Sequence, residues 1–134
     1  MLSKLNLLAR EMRNVFLQMP IGTALRYAGA VLVESPRIII RGSLDPADRH
    51  MTSVRIHKFG RWYSFEQVPF ALIRELFLNE IYFLNDHWRP AKGSVVVDLG
   101  ANCGTFSVLC AGLGADVIPV LFEKSVYFTS VTCG

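Results

Sequence analysis

The residues best placed to do chemistry lie between positions 95 and 107, which read VVVDLGANCGTFS. Asp98 follows three valines, and Gly100 and Gly104 bracket the tight turn that comes next. A glycine lets the backbone turn and approach a ligand without a Cβ in the way, and Gly104 is expected to permit close packing where a helix begins. A carboxylate at the end of a strand repels phosphate and attracts a cationic amine. The segment therefore predicts a strand, turn and helix that cradle a nucleotide carrying an amino acid tail.

Two familiar phosphate sites fit this turn poorly. A nucleoside triphosphate loop needs a lysine directly after its last glycine, whereas Thr105 and Phe106 follow Gly104. A dinucleotide fingerprint needs a glycine at the position that Asn102 occupies, where the pyrophosphate approaches the backbone. A nicotinamide-dependent oxidoreductase is therefore the less favoured alternative.

The D-x-G-A-N-x-G pattern resembles the opening motif of class I S-adenosylmethionine-dependent methyltransferases and is most similar to that of the FkbM type. The likeness extends over about residues 68–123, including the helix before the first strand. The residues that carry the pattern are Asp98, Gly100, Ala101, Asn102 and Gly104.

The resemblance implies an S-adenosylmethionine cofactor with its methionine part at these five residues. It also implies that Glu123, closing a second strand at residues 117–122, holds the ribose hydroxyls. Family members usually methylate oxygen atoms of sugars or natural products, so the implied acceptor is a small molecule or a glycan. No catalytic base is assigned.

The second half of the motif departs from the family. Pro119 interrupts the second strand, and Lys124 stands where the family usually has a proline. Segments that would complete the sheet and carry substrate chemistry are missing. A second hypothesis is thus a truncated, non-catalytic chain that acts as a binding or membrane-associated module.

Composition sets wider bounds. The 134 residues are 51% hydrophobic and 19% charged, which is typical of a globular protein. The net charge of +3 is spread too thinly to indicate nucleic acid binding. Neither the three cysteines nor the scattered His50, His57 and His87 have metal-ligand spacing, so no metal site is predicted. No apolar run approaches the roughly 20 residues of a membrane span and no signal peptide is evident, which indicates a cytoplasmic protein, either free or bound at the membrane surface.

The N-terminal part, residues 1–67, is predicted to hold helices and short strands. Residues 2–18 form an amphipathic helix that either lies on a membrane surface or, as we favour, docks its apolar face on the domain. A second helix is expected up to residue 34, a buried strand at residues 38–40, a loop at 43–49 and another strand at 54–59, turned by Gly60.

The remaining part, residues 68–134, is predicted to begin a Rossmann-like domain. A helix at residues 70–84 places Arg74, Glu75, Asn79 and Glu80 on its polar side. The strand at residues 94–99 is expected to be covered on both faces by helices, and a helix follows at 106–113. The fold class is therefore α/β, an incomplete Rossmann-like unit behind a helical and short β lead-in.

Overall fold

The computed structural model describes residues 2–101 and 103–120, which form a mixed α/β structure with two small sheets. Three helices lead into a short fourth helix and a hairpin of two strands. A short fifth helix follows, and then a parallel pair of strands joined by a sixth helix. The bounds are α1 Leu2–Gln18, α2 Ile21–Val33, α3 Ser35–Arg41, α4 Asp45–Asp48, β1 Ser53–Lys58, β2 Arg61–Glu66, α5 Phe70–Ile73, β3 Val95–Leu99, α6 Thr105–Gly112 and β4 Asp116–Val120.

The predicted helix α1 packs on the rest of the chain along one face. Val15 and Met19 are buried in the core, and Glu11 is buried with them. The following helix, α2, buries Ala24 and Tyr27 in the same core. Both helices agree with the sequence prediction, because a stripe of apolar residues at helical spacing encodes a face that needs covering.

The predicted strand at residues 38–40 is wrong, because these isoleucines lie in helix α3. Pro36 occupies the first turn of that helix, where its missing N–H costs nothing. Gly42, with a φ of 68°, ends it in the left-handed conformation. The two breakers are therefore helix boundaries rather than strand boundaries. Likewise, the expected loop at 43–49 contains the short helix α4, with Pro46 in its first turn.

The hairpin of β1 and β2 follows the alternation of its sequence. The strands pair antiparallel, with His57 opposite Trp62. Phe59 and Gly60 form the turn with φ values of 52° and 74°, the combination found in two-residue hairpin turns. The inward side chains are fully buried, and they are Val54, Ile56, Tyr63 and Phe65.

The segment after the hairpin departs from the single helix predicted for residues 70–84. The helix α5 continues as a wider π-helical turn over Arg74–Leu78, closed by the Asn79 N–H on the Arg74 carbonyl at 3.0 Å. Glu80 then takes a φ of 47°, which ends the helix before the short 3₁₀ turns Ile81–Phe83 and Asp86–Trp88. The first part of this segment is buried in the core, with Phe70 and Phe77 at 2% and 0% exposure, whereas Leu84 and Trp88 in its second part are each 74% exposed.

The second sheet has β3 parallel to β4, with Asp98 opposite Pro119. The predicted β3 is confirmed, and the second strand begins at Asp116, while residues 121 and 122 lie outside the described chain. The expectation of cover on both faces is wrong for the described residues. Val95, Val97 and Leu99 are 65%, 54% and 73% exposed, because they lie on the face of the two strands that points away from α6. Of the helices in residues 2–101 and 103–120, none is both long and apolar enough to cross a membrane.

Candidate functional site

The turn after β3 adopts the backbone that its glycines predict. Gly100 and Gly104 have φ values of 75° and 72°, a region that residues with a side chain rarely enter. A Cβ on Gly104 would meet no atom within 4 Å. The predicted role of Gly104 in close packing is therefore wrong. A glycine suits this position because of its positive φ.

Asp98 ties the end of β3 to the first turn of α6. Its side chain is half-buried, and the Ser107 hydroxyl donates a hydrogen bond of 2.6 Å to its Oδ2. Beneath it lies the buried thiol of Cys110, whose pKa is raised to about 11 by burial and by the negative charge of Asp98. The thiol therefore stays protonated at neutral pH.

Several backbone donors of the turn are used within the protein. The N–H groups of Gly100 and Ala101 donate to the Val120 carbonyl at 2.9 and 3.2 Å, and Gly104 donates to the Ala101 carbonyl at 2.6 Å. These bonds hold the turn against the end of β4. A ligand would instead meet the Asp98 carboxylate and the first residues of α6.

A cavity of about 340 Å³ opens beside this turn. Asp98, Gly100 and Ala101 line one side, Thr105 and Phe106 at the start of α6 line another, and Leu72 and Leu76 contribute an apolar wall. Tyr82 lies across from the turn and packs edge to face on Phe106, with 5.5 Å between ring centroids. A pocket with an apolar wall, two aromatic rings and one carboxylate is typical of small-molecule sites.

The structure therefore brings together three of the six predicted binding residues, Asp98, Gly100 and Ala101, at one cavity. Gly104 belongs to the same turn. Asn102 and Glu123 lie outside the described residues, so their predicted contacts stay predictions.

The aromatic pair at the cavity was missed by sequence reasoning. Tyr82 follows the break at Glu80, and a continuous helix through that position gives no reason to direct it at the turn. Its nearness to the motif depends on the way the segment after the π-helical turn folds back over α6. The exposed Trp88 and the buried Tyr63 do not line this cavity, and Trp62 packs on His57 instead.

A buried cluster of charged groups was also missed. Arg74, placed on a polar helix face by the sequence analysis, is only 7% exposed and contacts Glu11 at 2.9 Å and Asp48 at 3.1 Å. The Tyr27 hydroxyl donates to the other oxygen of Asp48 at 2.8 Å. Burial raises the pKa of both carboxyls, while the guanidinium of Arg74 opposes that rise. The sequence signal for this cluster was the charge of Arg74 within the largely apolar segment from Ile73 to Leu78.

This buried cluster borders a larger cavity of about 440 Å³, yet it is the weaker candidate site. Asp48 accepts two hydrogen bonds from Arg74 and one from Tyr27, so its lone pairs serve neighbouring helices. Such a satisfied network stabilises a fold more readily than it binds a ligand. The larger cavity is lined by Asp48 and by residues of the loops around the hairpin.

Metal binding has no support in the described part of the chain, where no group of three or more His, Cys, Asp or Glu side chains could hold an ion. His50 contacts Glu34 at 3.2 Å, and the His57 ring packs on Trp62 with 5.0 Å between centroids. Comparison of the chain with protein-family models, curated proteins and solved structures finds no match. The assignment of function therefore rests on the turn and its cavity.

Proposed function

We propose that this chain binds S-adenosylmethionine in the cavity beside the turn after β3, as the cofactor-binding part of an FkbM-type methyltransferase with a Rossmann-like unit. One observation carries the proposal. Asp98 is the penultimate residue of a strand that is parallel to its neighbour, and it faces a cavity together with a glycine turn and a helix start. This is the edge of a parallel sheet at which ligands of open α/β sheets bind.

The chemical groups of the cavity suit an adenosyl amino acid. The carboxylate of Asp98 attracts a cationic amine, and the positive end of the α6 dipole at Thr105 attracts a carboxylate. The rings of Tyr82 and Phe106 offer faces on which an adenine can stack or a sulfonium can rest. The resemblance assigns the ribose hydroxyls to Glu123 and a place in the turn to Asn102.

The cofactor would supply a methyl group on a sulfonium for in-line transfer to an acceptor. The chain's own contribution is positioning: Asp98 orients the amino end, and the wall of Leu72 and Leu76 excludes water from that side. The acceptor is proposed to be a hydroxyl of a sugar or another natural product. No residue of the described chain is assigned as its base.

Isothermal titration of the full chain with S-adenosylmethionine tests the proposal. We expect Asp98→Asn to weaken binding by about tenfold to a hundredfold, because a charge-assisted hydrogen bond is lost. Asp116→Asn is the matched control. Asp116 is exposed and pairs with Val95 at the other end of the same two strands. This variant should bind as the unaltered chain does.

Two results would contradict the proposal. One is the absence of heat with S-adenosylmethionine for a chain whose circular dichroism shows it to be folded. The other is an equal loss of affinity in the two aspartate variants, which would show that binding does not depend on the turn. Heat on titration with NADH, and none with S-adenosylmethionine, would indicate that the cofactor is a nicotinamide dinucleotide instead.

A further inference from the structure

The helices α2 and α3, which contact each other, expose six large apolar side chains to solvent. These six side chains together are called here the α2–α3 face. Ile39 and Ile40 are 80% and 84% exposed, and the other four are more than half exposed. The members are Ile21, Leu25, Leu32, Val33, Ile39 and Ile40.

On α2 the exposed apolar residues form a stripe opposite the buried one. At 3.6 residues per turn, Ile21, Leu25 and Leu32 point within about 40° of one another. Tyr27 and Ala30 point to the other side and are buried in the core. A helix that is apolar on both sides is adapted to being covered on both.

Exposure of this kind is confined to certain parts of the molecule. Large apolar side chains are exposed at eight positions between residues 16 and 40, at none between residues 41 and 80, a stretch that is described throughout, and at seven between residues 81 and 99. The α2–α3 face is therefore a concentrated feature rather than the scatter of single apolar residues common on protein surfaces.

The exposed charged side chains of α1, α2 and α3 have one sign. Five arginines between residues 2 and 44 are exposed, and they are Arg10, Arg13, Arg26, Arg37 and Arg41. The same stretch contains two acidic residues, and both are buried in ion pairs: Glu11 contacts Arg74 and Glu34 contacts Arg37, each at 2.9 Å. The first three helices thus present apolar and cationic groups to solvent without an exposed carboxylate.

We propose that the α2–α3 face docks on the surface of an anionic lipid bilayer. The isoleucines, leucines and valine enter the boundary between headgroups and acyl chains, and the arginines contact lipid phosphates. A second copy of the chain fits this face less well, because a symmetric contact would bring arginines against arginines. The contact differs from one made by the apolar face of α1, since Val15 and Met19 are buried in the core.

Co-sedimentation of the full chain with vesicles tests this proposal. We expect binding to vesicles of phosphatidylcholine mixed with phosphatidylserine, and much weaker binding to phosphatidylcholine alone. The double substitution Ile39→Gln and Ile40→Gln should lower the apparent affinity by about tenfold or more, because apolar contacts with the bilayer are lost. The matched control is Val95→Gln with Val97→Gln, which changes two exposed apolar residues on β3 instead and should leave binding unchanged.

The charge contribution is tested separately. Arg26→Gln with Arg41→Gln should weaken binding to the anionic vesicles by about tenfold or more, and added salt should weaken it for the unaltered chain. The exposed hairpin pair Arg55→Gln with Arg61→Gln is the control.

The proposal is overturned if the folded chain does not bind anionic vesicles, or if the Ile39 and Ile40 substitutions leave the affinity for them unchanged. Sedimentation velocity supplies a further outcome. A concentration-dependent dimer that those two substitutions abolish, without vesicle binding by the unaltered chain, would assign the face to a second copy. The titration with S-adenosylmethionine is separate, so the two proposals can fail independently.

Discussion

The β1–β2 hairpin and the β3–β4 sheet are each two strands wide, but they differ in what their outer faces carry. In the hairpin, Ile56 and Tyr63 point into the core while Arg55 and Glu66 point to solvent. In β3, the residues that point away from α6 are Val95, Val97 and Leu99, which are all apolar and all more than half exposed. The hairpin thus has the alternation of a sheet with one buried face, whereas β3 has the composition of a strand that is buried on both faces.

The difference shows that an apolar run does not by itself say how many faces are covered. Alternation in the hairpin matches one buried face, and the structure buries that face alone. The unbroken valines of β3 match two covered faces, and the described chain covers one. Four tests, ordered from the largest expected effect to the smallest, probe two regions: the closed region, which is the hairpin with the buried core around it, and the open region, which is the β3–β4 sheet.

The largest effect is expected from Arg74→Ala in the closed region. The substitution leaves Glu11 and Asp48 buried without their cation, which costs about 3 to 5 kcal/mol of unfolding free energy. Urea denaturation followed by circular dichroism measures this loss. Arg55→Ala on the exposed side of the hairpin is the control, and a loss no larger than that of the control would refute a structural role for the cluster.

The next prediction compares the two sheets directly. Ile56→Ala should cost about 2 to 5 kcal/mol, because a fully buried side chain leaves a cavity. Val97→Ala should cost less than about 1 kcal/mol, because Val97 is on the uncovered face of β3. Chemical denaturation of both variants checks the contrast, and equal losses would mean that β3 is covered on both faces in solution.

A third substitution tests the contact between the two regions. A Cβ on Gly112 of α6 would lie 2.6 Å from the Tyr63 hydroxyl and 2.8 Å from the Phe59 ring, both in the hairpin. Because Tyr63 is buried and cannot move away freely, Gly112→Ala should destabilise the chain by about 1 to 3 kcal/mol.

Gly29→Ala is the control for that substitution, measured by thermal unfolding of both variants. Gly29 is in α2, and a Cβ there would meet nothing within 4 Å. The alanine should therefore stabilise the helix by about 0.4 to 1 kcal/mol. Stabilisation by both alanines would show that α6 and the hairpin are not in close contact.

The smallest effect is expected from the ion pairs at the junction of the regions. Glu80 contacts Lys58 at 2.7 Å and Arg89 at 2.5 Å. Burial alone would raise the pKa of Glu80, but the hydrogen bond and charge of Lys58, followed by those of Arg89, outweigh it and lower the pKa below its ordinary 4.5. The resulting stabilisation is present above pH 4.5 and is lost as the pH falls through the lowered pKa.

This stabilisation should be about 1 kcal/mol or less, because the Glu80 side chain is 23% exposed and solvent screens its ion pairs. Urea midpoints of the unaltered chain and Glu80→Gln, measured at neutral and at acid pH, check it. The variant should lose less stability on acidification, whereas the exposed control Glu66→Gln should behave as the unaltered chain. A larger acid sensitivity in Glu80→Gln would reverse the sign we assign.

Local pattern accounts for the parts of the fold that were predicted correctly. The helices α1 and α2 and the strands β1 and β3 follow from periodicities that repeat within a few residues. The strand predicted at residues 38–40 failed because three β-branched residues outweighed the helix signals of Pro36 and Gly42. At the candidate site the turn conformation was predictable from Gly100 and Gly104, and the aromatic pair of Tyr82 and Phe106 was not.

By itself the sequence determined where the backbone must turn and which stretches carry an apolar face, since φ preferences and side-chain spacing are properties of neighbouring residues. Tertiary structure alone decided that Arg74 is buried, because its partner Glu11 lies 63 residues away and only packing brings them together. Tertiary structure also decided that Asp98 opens on a cavity rather than on solvent. Leu72, Leu76 and Tyr82 close that cavity from a distant part of the chain, and the position of Tyr82 depends on the break at Glu80, which no local pattern encodes.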